Sequence, residues 1–383
     1  MEQEKFTSEK PYAHKLAAQL LCLVFIVGIL YYLQGIFLLL VFAMMLSMIL
    51  FPMTRKFEQW RMPRALAAIL SIIVAAGVLV GLFYLIINQV VSIGKGGGDI
   101  INKFQGIFDT ILNWAHEQFG VSENAILARL KTSANSALAN ASSYVQTAFS
   151  SVGGILANTL LLPIFIFFML CYRDFFREFF FYAFKSTNQQ KVNDTLIKIY
   201  NVVHGYLFGL ITVMGIVGVL NSVGLMVLGI PYAWFFGILA SLLMLFPYIG
   251  IAIGSILPAL FALAVKDSFW YSLGVIGWFQ FVQFLEANII TPKVVGSKVS
   301  VNPLMSILAI ILGGLLFGLA GLILAIPMVA MLKVIFDAMP TMAHFGFLIG
   351  ETEKYHMKRE SKMIVMKRWQ LKIMPKKKVA DKD

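Results

Sequence analysis

Residues 16–54 read LAAQLLCLVFIVGILYYLQGIFLLLVFAMMLSMILFPMT, a run without a single charged side chain. A second uncharged run follows from Ala65 to Gly94. An α-helix needs about 20 apolar residues to cross the roughly 30 Å hydrocarbon core of a bilayer. The first run therefore predicts two membrane helices, and the second predicts at least one.

The composition of the whole chain agrees with a membrane environment. Of 383 residues, 59% are hydrophobic and only 13% are charged, whereas an ordinary soluble domain carries about 25% charged residues. This excludes a water-soluble enzyme. The two cysteines, Cys22 and Cys171, lie inside apolar segments and predict neither a disulfide framework nor a metal cluster.

Hydropathy and helix breakers together predict an all-α polytopic membrane protein of about eight membrane segments. Two long apolar stretches, 231–265 and 303–335, are interrupted by proline and glycine near their middles, which predicts broken helices or re-entrant hairpins. The remaining apolar stretches predict six full crossings, at 16–33, 35–53, 65–92, 152–172, 206–229 and 269–290.

The positions of the basic residues predict the orientation. The net charge is +12, and the excess of lysine and arginine falls in the segments 54–64, 173–200, 292–302 and 333–383. Because cytoplasmic loops collect these residues, both termini are predicted to be cytoplasmic and 94–150 to lie outside. The predicted regions are a cytoplasmic N-terminus (1–15), three membrane helices (16–93), an extracytoplasmic amphipathic segment (94–150), a transport core (151–340) and a basic cytoplasmic tail (341–383).

The second half of the chain repeats one pattern. Helix 206–229 precedes one broken hairpin, and helix 269–290, which runs in the opposite direction, precedes the other. Inverted repeats with discontinuous helices are common in secondary transporters. The alternative is two unrelated kinked hairpins.

Two segments outside the predicted crossings have amphipathic patterns. The segment 94–150 places apolar residues at helical spacing on one face, which favours packing on the membrane, the bundle or a neighbouring subunit. Residues 358–382 interleave basic and apolar side chains, which favours anionic lipid as a partner and not nucleic acid. A solvated tail is the alternative.

Polar side chains within the predicted crossings are the candidate transport residues. Glu286 lies with Gln280 and Gln283 on one face of helix 269–290, and an ionisable residue in a membrane segment usually faces a cavity, a partner or a proton path. Alternatively, Glu286 snorkels to water or pairs with Lys293. Pro292 is predicted to end this helix. The other candidates for the site are Asn221, Tyr248, Asn288 and Lys293.

Several motifs in the second half resemble the autoinducer-2 exporter family, also described as permeases. They are Phe246-Pro247-Tyr248-Ile249-Gly250, the run from Glu286 to Gly296 (EANIITPKVVG), Asn302-Pro303 and the glycine-rich stretch that ends at Leu324-Ala325-Ile326-Pro327. The resemblance covers about residues 15–340. It implies a homo-oligomeric bacterial inner-membrane protein that moves a small solute outward, and some members are described as sodium or lithium/proton antiporters. The matching positions that we assign to hairpin or hinge geometry are Pro247, Gly250, Pro292, Gly296, Gly313, Gly314, Gly318, Gly321 and Pro327.

These observations favour a secondary transporter that exports a small polar metabolite such as autoinducer-2. A monovalent cation/proton antiporter that uses Glu286 is the main alternative, and a non-transporting membrane scaffold is a third. The chain carries no Walker-type phosphate loop, no histidine pair at metal-ligand spacing and no nucleophile motif. We therefore expect neither an enzyme nor a cofactor.

Overall fold

The computed structural model describes residues 12–95, 160–246, 249–266, 268–295 and 300–351. These residues form helices joined by short turns, and the two residues Val301 and Gly350 form a single bridge. Most of 94–150, most of 1–15 and the tail beyond Glu351 lie outside the described residues. The same is true of Pro247, Tyr248 and Gly296.

The described residues form twelve α-helices and one π-helical turn. They are α1 (Tyr12–Tyr32), α2 (Gln34–Gln59), α3 (Arg64–Lys95), α4 (Leu161–Cys171), α5 (Arg173–Ala183), α6 (Gln189–Val227), α7 (Ala233–Leu243), α8 (Ile249–Val265), α9 (Phe269–Leu285), a π-helical turn (Glu286–Ile290), α10 (Thr291–Val294), α11 (Pro303–Ala338) and α12 (Ala343–Ile349). Within the described ranges, five helices are long and apolar enough to cross a membrane. The predicted fold class, a polytopic helical membrane protein, is confirmed.

Local sequence signals set the beginnings of the long helices. The Asn188 side chain accepts a hydrogen bond from the Gln190 N–H at 2.8 Å and so caps α6. Asn302 caps α11 in the same way through the Met305 N–H at 2.9 Å, with Pro303 in the first helical turn. Helix α6 therefore begins well before the predicted crossing at 206, and much of 173–200, predicted as a cytoplasmic segment, is helical.

The long helix α6 is the centre of the bundle, since α2, α7, α9 and α11 all pack against it. Buried side chains from three of these helices meet at one point, where Val41 and Met45 of α2 contact Val203 of α6 and Leu324 of α11. A separate apolar cluster joins α2, α3 and α4. The outer faces of these helices remain apolar and exposed, for example Val78 at 67% and Leu315 at 74%, as expected for surfaces that face lipid.

The stretch 231–265 folds as a hairpin of α7 and α8. The chain turns after Leu243, and α8 packs back on α7. The closest approach is at Gly250, where a β-carbon would lie 1.7 Å from the Leu243 carbonyl oxygen. Only glycine allows the two backbones to come this near.

The stretch 303–335 also reverses direction, because α11 consists of two helical arms that meet at a kink at Gly318. Gly318 has φ 60° and ψ −144°, a non-helical conformation. A β-carbon on Gly321 would lie 1.9 Å from the Gly313 carbonyl oxygen, whereas residues eight apart in an unbroken helix are separated by about 12 Å. The second arm carries Pro327 in a fully buried position. A long helix followed by a helical hairpin therefore occurs twice: α6 precedes the α7–α8 hairpin, and α9 precedes the α11 hairpin.

Candidate functional site

The Glu286 carboxylate lies where α9 passes into the π-helical turn, and only 8% of this residue is exposed. Its Oε2 accepts a hydrogen bond from Gln283 Nε2 at 2.7 Å, and its Oε1 accepts one from the Thr291 hydroxyl. No basic residue in the described part of the chain forms an ion pair with it. The carboxylate is therefore held by neutral donors from the turns before and after it.

The π-helical turn corrects the expectation for Pro292. This proline was expected to end the helix, but the helix continues through α10 to Val294. The turn widens ahead of the proline, so that the Thr291 N–H reaches the Glu286 carbonyl five residues back. A proline has no N–H and its ring excludes the carbonyl four residues earlier, and a π-bulge accommodates both constraints. The wide turn places Thr291 against the Glu286 carboxylate.

A small cavity lies next to this carboxylate network, between α6, α7, α8 and α9. It measures about 20 Å³, which is room for about one water molecule. Polar side chains from three helices line it, namely Asn221 of α6, Ser255 of α8, and Gln280 and Gln283 of α9. Gln283 thus connects the cavity to Glu286.

Asn221 is the least satisfied polar group of this cavity. The residue is 4% exposed, and its Oδ1 accepts no hydrogen bond from any described residue. Ser255, by comparison, donates to the Ala252 carbonyl oxygen at 3.1 Å. Buried polar atoms nearly always have a partner, so the unpaired Asn221 oxygen marks this wall of the cavity as a candidate binding position.

Small residues set the distance between α6 and α7 behind the cavity. A β-carbon on Gly237 of α7 would lie 2.1 Å from the Ser222 Oγ of α6. Ser222 itself donates to the Gly218 carbonyl oxygen at 2.7 Å. Small residues at helix contacts allow close packing inside a membrane, and here they keep Asn221, which neighbours Ser222, at the cavity wall.

A tryptophan sets the rotation of α9 against α6. Trp278 Nε1 donates to the Leu220 carbonyl oxygen at 3.1 Å, and its indole occupies the space that a side chain at Gly224 would need, since a β-carbon there would lie 2.0 Å from Nε1. This contact turns Gln280 and Gln283 toward Asn221.

The predicted site residues thus fall into three groups. The structure brings Asn221, Gln280 and Gln283 together at the cavity, with Glu286 beside it. It leaves out Asn288 and Lys293, which are both exposed. Asn288 donates to the Phe284 carbonyl oxygen of its own helix at 2.9 Å. Gly250 lines the cavity from α8, and Tyr248 lies outside the described residues.

Three residues of the site escaped the sequence reasoning. They are Ser255, Thr291 and Trp278. Ser255 was detectable as a hydroxyl in an apolar helix, directly after Gly254. The role of Thr291 depends on the π-helical turn, and the role of Trp278 depends on Gly224 of another helix, so no local pattern indicates them.

Comparison with known proteins identifies the family of this chain. The model of the AI-2E family transporter matches residues 20–341. "Putative transport protein YrrI" of Bacillus subtilis (strain 168) is 25% identical over 308 residues, which cover 79% of this chain and 86% of that protein. "Putative transport protein MT0215" of Mycobacterium tuberculosis (strain CDC 1551 / Oshkosh) is 28% identical over 295 residues, 75% of this chain and 78% of that protein. The chain therefore belongs to the AI-2E transporter family, and it is a multi-pass membrane protein of the transporter or permease class.

Proposed function

We propose that this protein is a secondary transporter that exports a small polar metabolite such as autoinducer-2 across the bacterial inner membrane. The observation that carries the proposal is the cavity between α6 and α9, which is lined by Asn221, Gln280, Gln283 and Ser255 and at which the Asn221 oxygen has no described partner. Amide and hydroxyl groups without a net charge suit a neutral, hydroxylated solute, because each hydroxyl both donates and accepts a hydrogen bond.

Transport of a metabolite requires the cavity to open. At about 20 Å³ it accommodates about one water molecule, so the state described is closed to a larger solute. The α7–α8 hairpin forms one wall of the cavity, and its arms meet at Gly250. We propose that this hairpin moves against α6 and α9 to expose the site alternately to the two sides, as broken helices do in other secondary transporters.

The proposal includes the orientation and the partners expected from the sequence. Both termini are cytoplasmic, the protein forms a homo-oligomer, and the basic tail contacts anionic lipid. The excess of basic residues in 54–64, 173–200, 292–302 and 333–383 supports the orientation.

Export is tested with purified protein in proteoliposomes. Labelled autoinducer-2 is loaded, and its exchange is followed for wild type, Asn221→Ala and Asn201→Ala. Asn201 is the matched control, because it is an exposed asparagine on the same helix and does not line the cavity. We expect Asn221→Ala to lose at least about tenfold in rate, the equivalent of about 1.4 kcal/mol, and Asn201→Ala to match wild type. Wild-type rates in Asn221→Ala would refute this site, and a wild type that moves no autoinducer-2 would refute this substrate.

A sodium or lithium/proton antiporter is the second candidate, and one observation favours it. Glu286 is a buried carboxylate without a basic partner among the described residues, and such a group can carry a proton across the membrane. Internal pH in the same proteoliposomes, measured after external sodium or lithium is added, distinguishes the two functions. Cation-dependent alkalinisation that Glu286→Gln abolishes supports antiport, and no proton movement in either protein excludes it. A non-transporting scaffold is excluded if purified wild type moves any solute.

A further inference from the structure

A second polar recess lies far along α6 from the cavity, against the C-terminal end of α2. It measures about 350 Å³ and is lined by Phe51, Pro52, Arg55, Lys56 and Gln59 of α2 and by Tyr200 of α6. The α2 residues are spaced three and four apart, which places them on one face of the helix. The recess therefore combines two adjacent cations with an apolar and aromatic floor.

The two cations have no counter-ion within the chain as described. Neither Arg55 nor Lys56 forms an ion pair or hydrogen bond with a described residue. The one acidic residue near them on α2, Glu58, is already paired, since its Oε2 accepts from Arg173 Nη2 at 2.7 Å. The recess thus retains its positive charge.

Aromatic contacts make the floor of the recess rigid. The Tyr200 ring meets the Phe51 ring edge-on, with centroids 5.7 Å apart, and stacks on the His204 ring at 5.3 Å. The Arg173 guanidinium lies 5.2 Å from the centre of the Phe51 ring. Tyr200, which lines the recess, also carries a phenolic hydroxyl that can donate a hydrogen bond.

The position of the recess along α2 is typical of the boundary between hydrocarbon and water. It lies where α2 leaves its apolar run, and Trp60, one residue beyond Gln59, is 63% exposed. Helix α5 starts at Arg173 and exposes Phe175 at 62% and Phe179 at 55%. Exposed tryptophan and phenylalanine beside charged residues are typical of the membrane interface.

We propose that this recess binds the phosphate-bearing headgroup of an anionic membrane lipid. Arg55, Lys56 and the Tyr200 hydroxyl contact the phosphate, and the lipid backbone lies over Phe51 and Pro52. A free phosphate ion offers the same charge but nothing to cover the apolar floor, which favours the lipid as the source. Basic recesses between membrane helices recognise headgroups in this way.

The proposal is tested by native mass spectrometry of the full-length protein titrated with phosphatidylglycerol. The test variant is Arg55→Gln/Lys56→Gln, and the matched control is Lys191→Gln/Lys198→Gln, which removes the same charge from exposed positions of α6 outside the recess. With about 1 kcal/mol for each basic residue, the test variant should bind about 30-fold more weakly, at about 1.4 kcal/mol for each tenfold. The control should stay within about threefold of wild type.

Additional arms of the titration identify the source of the phosphate and guard against misfolding. Phosphatidylcholine, whose choline cation already balances its phosphate, should bind wild type more weakly than phosphatidylglycerol does and lose less affinity in the test variant. Inorganic phosphate that competes away phosphatidylglycerol at matched ionic strength would overturn the lipid assignment. If the double variant does not purify as a folded protein, the single variants Arg55→Gln and Lys56→Gln replace it, with an expected loss of about fivefold each. Unchanged phosphatidylglycerol binding in the variants would overturn the proposal.

Discussion

Replacing Glu286 by glutamine separates the charge of the carboxylate from the packing around it. Glu286 accepts hydrogen bonds from Gln283 and Thr291. A glutamine at this position has the same shape. Its carbonyl oxygen can accept from Gln283, and its amide can donate to the Thr291 hydroxyl, which acts both as donor and as acceptor. Both hydrogen bonds are therefore retained without the negative charge.

The expected cost of this change is small. A hydrogen bond to a charged group contributes about 1.5–3 kcal/mol and a neutral one about 0.5–1.5 kcal/mol, so neutralising two bonds costs about 2 kcal/mol. Removing a buried charge offsets part of this loss, because the ionised carboxylate pays for desolvation. Glu286→Leu, in contrast, leaves the half-buried donors of Gln283 and Thr291 unsatisfied and costs about 2–4 kcal/mol.

Thermal unfolding in detergent and solute transport in proteoliposomes together measure the two effects. Since 1 kcal/mol shifts Tm by about 2–4 °C in domains of 150–250 residues, we expect Glu286→Leu to lower Tm by about 4–16 °C and Glu286→Gln to lower it by less than about 5 °C. If Glu286 couples or gates transport, Glu286→Gln should nevertheless lose transport, because either role requires the ionisable carboxylate. A Glu286→Gln protein as unstable as Glu286→Leu would refute the hydrogen-bond reasoning. A stable Glu286→Gln protein with normal transport would refute a coupling or gating role.

Two further predictions concern the fold and its orientation. Gly321→Ala should prevent the α11 hairpin from closing, because its β-carbon would lie 1.9 Å from the Gly313 carbonyl oxygen, whereas Gly77→Ala, with nothing within 4 Å, should behave as wild type. Size-exclusion chromatography and Tm in detergent check this, and an undisturbed Gly321→Ala protein would contradict the close approach. Single cysteines at Lys95 and Lys293, in a chain without its native cysteines, should react with an impermeant thiol reagent from opposite sides of the membrane. Labelling from the same side would overturn the predicted orientation.

Sequence patterns predicted the elements of this fold well and its contacts poorly. The uncharged runs indicated α2 and α3, because hydropathy acts on each segment separately. The break before Gly250 and the break at Gly318 were visible as glycines in apolar stretches. The continuation through Pro292 was predicted incorrectly, because a proline ordinarily ends a helix and the π-helical turn that compensates for it leaves no local signal.

For the candidate site, too, the sequence predicted relations within one helix but not contacts between helices. Helical periodicity on a single helix predicted that Gln280, Gln283 and Glu286 share a face. Asn288 is also a polar residue of this membrane segment, yet its side chain bonds to the backbone of its own helix and lies away from the cavity. Polarity within a membrane segment therefore selects candidates but does not distinguish a residue that faces a cavity from one that bonds to its own backbone.

By itself, the sequence determined that this protein is a polytopic helical membrane protein with its polar residues concentrated on α9, because the cost of placing charge in hydrocarbon depends on the residues of each segment alone. Only the tertiary structure decided that Asn221 and Ser255 meet Gln283 at one cavity. These residues lie on different helices, whose separation and rotation depend on the contact between Gly237 and Ser222 and on the indole of Trp278 against Gly224. Such contacts join residues distant in the chain, and the periodicity of a single helix does not predict them.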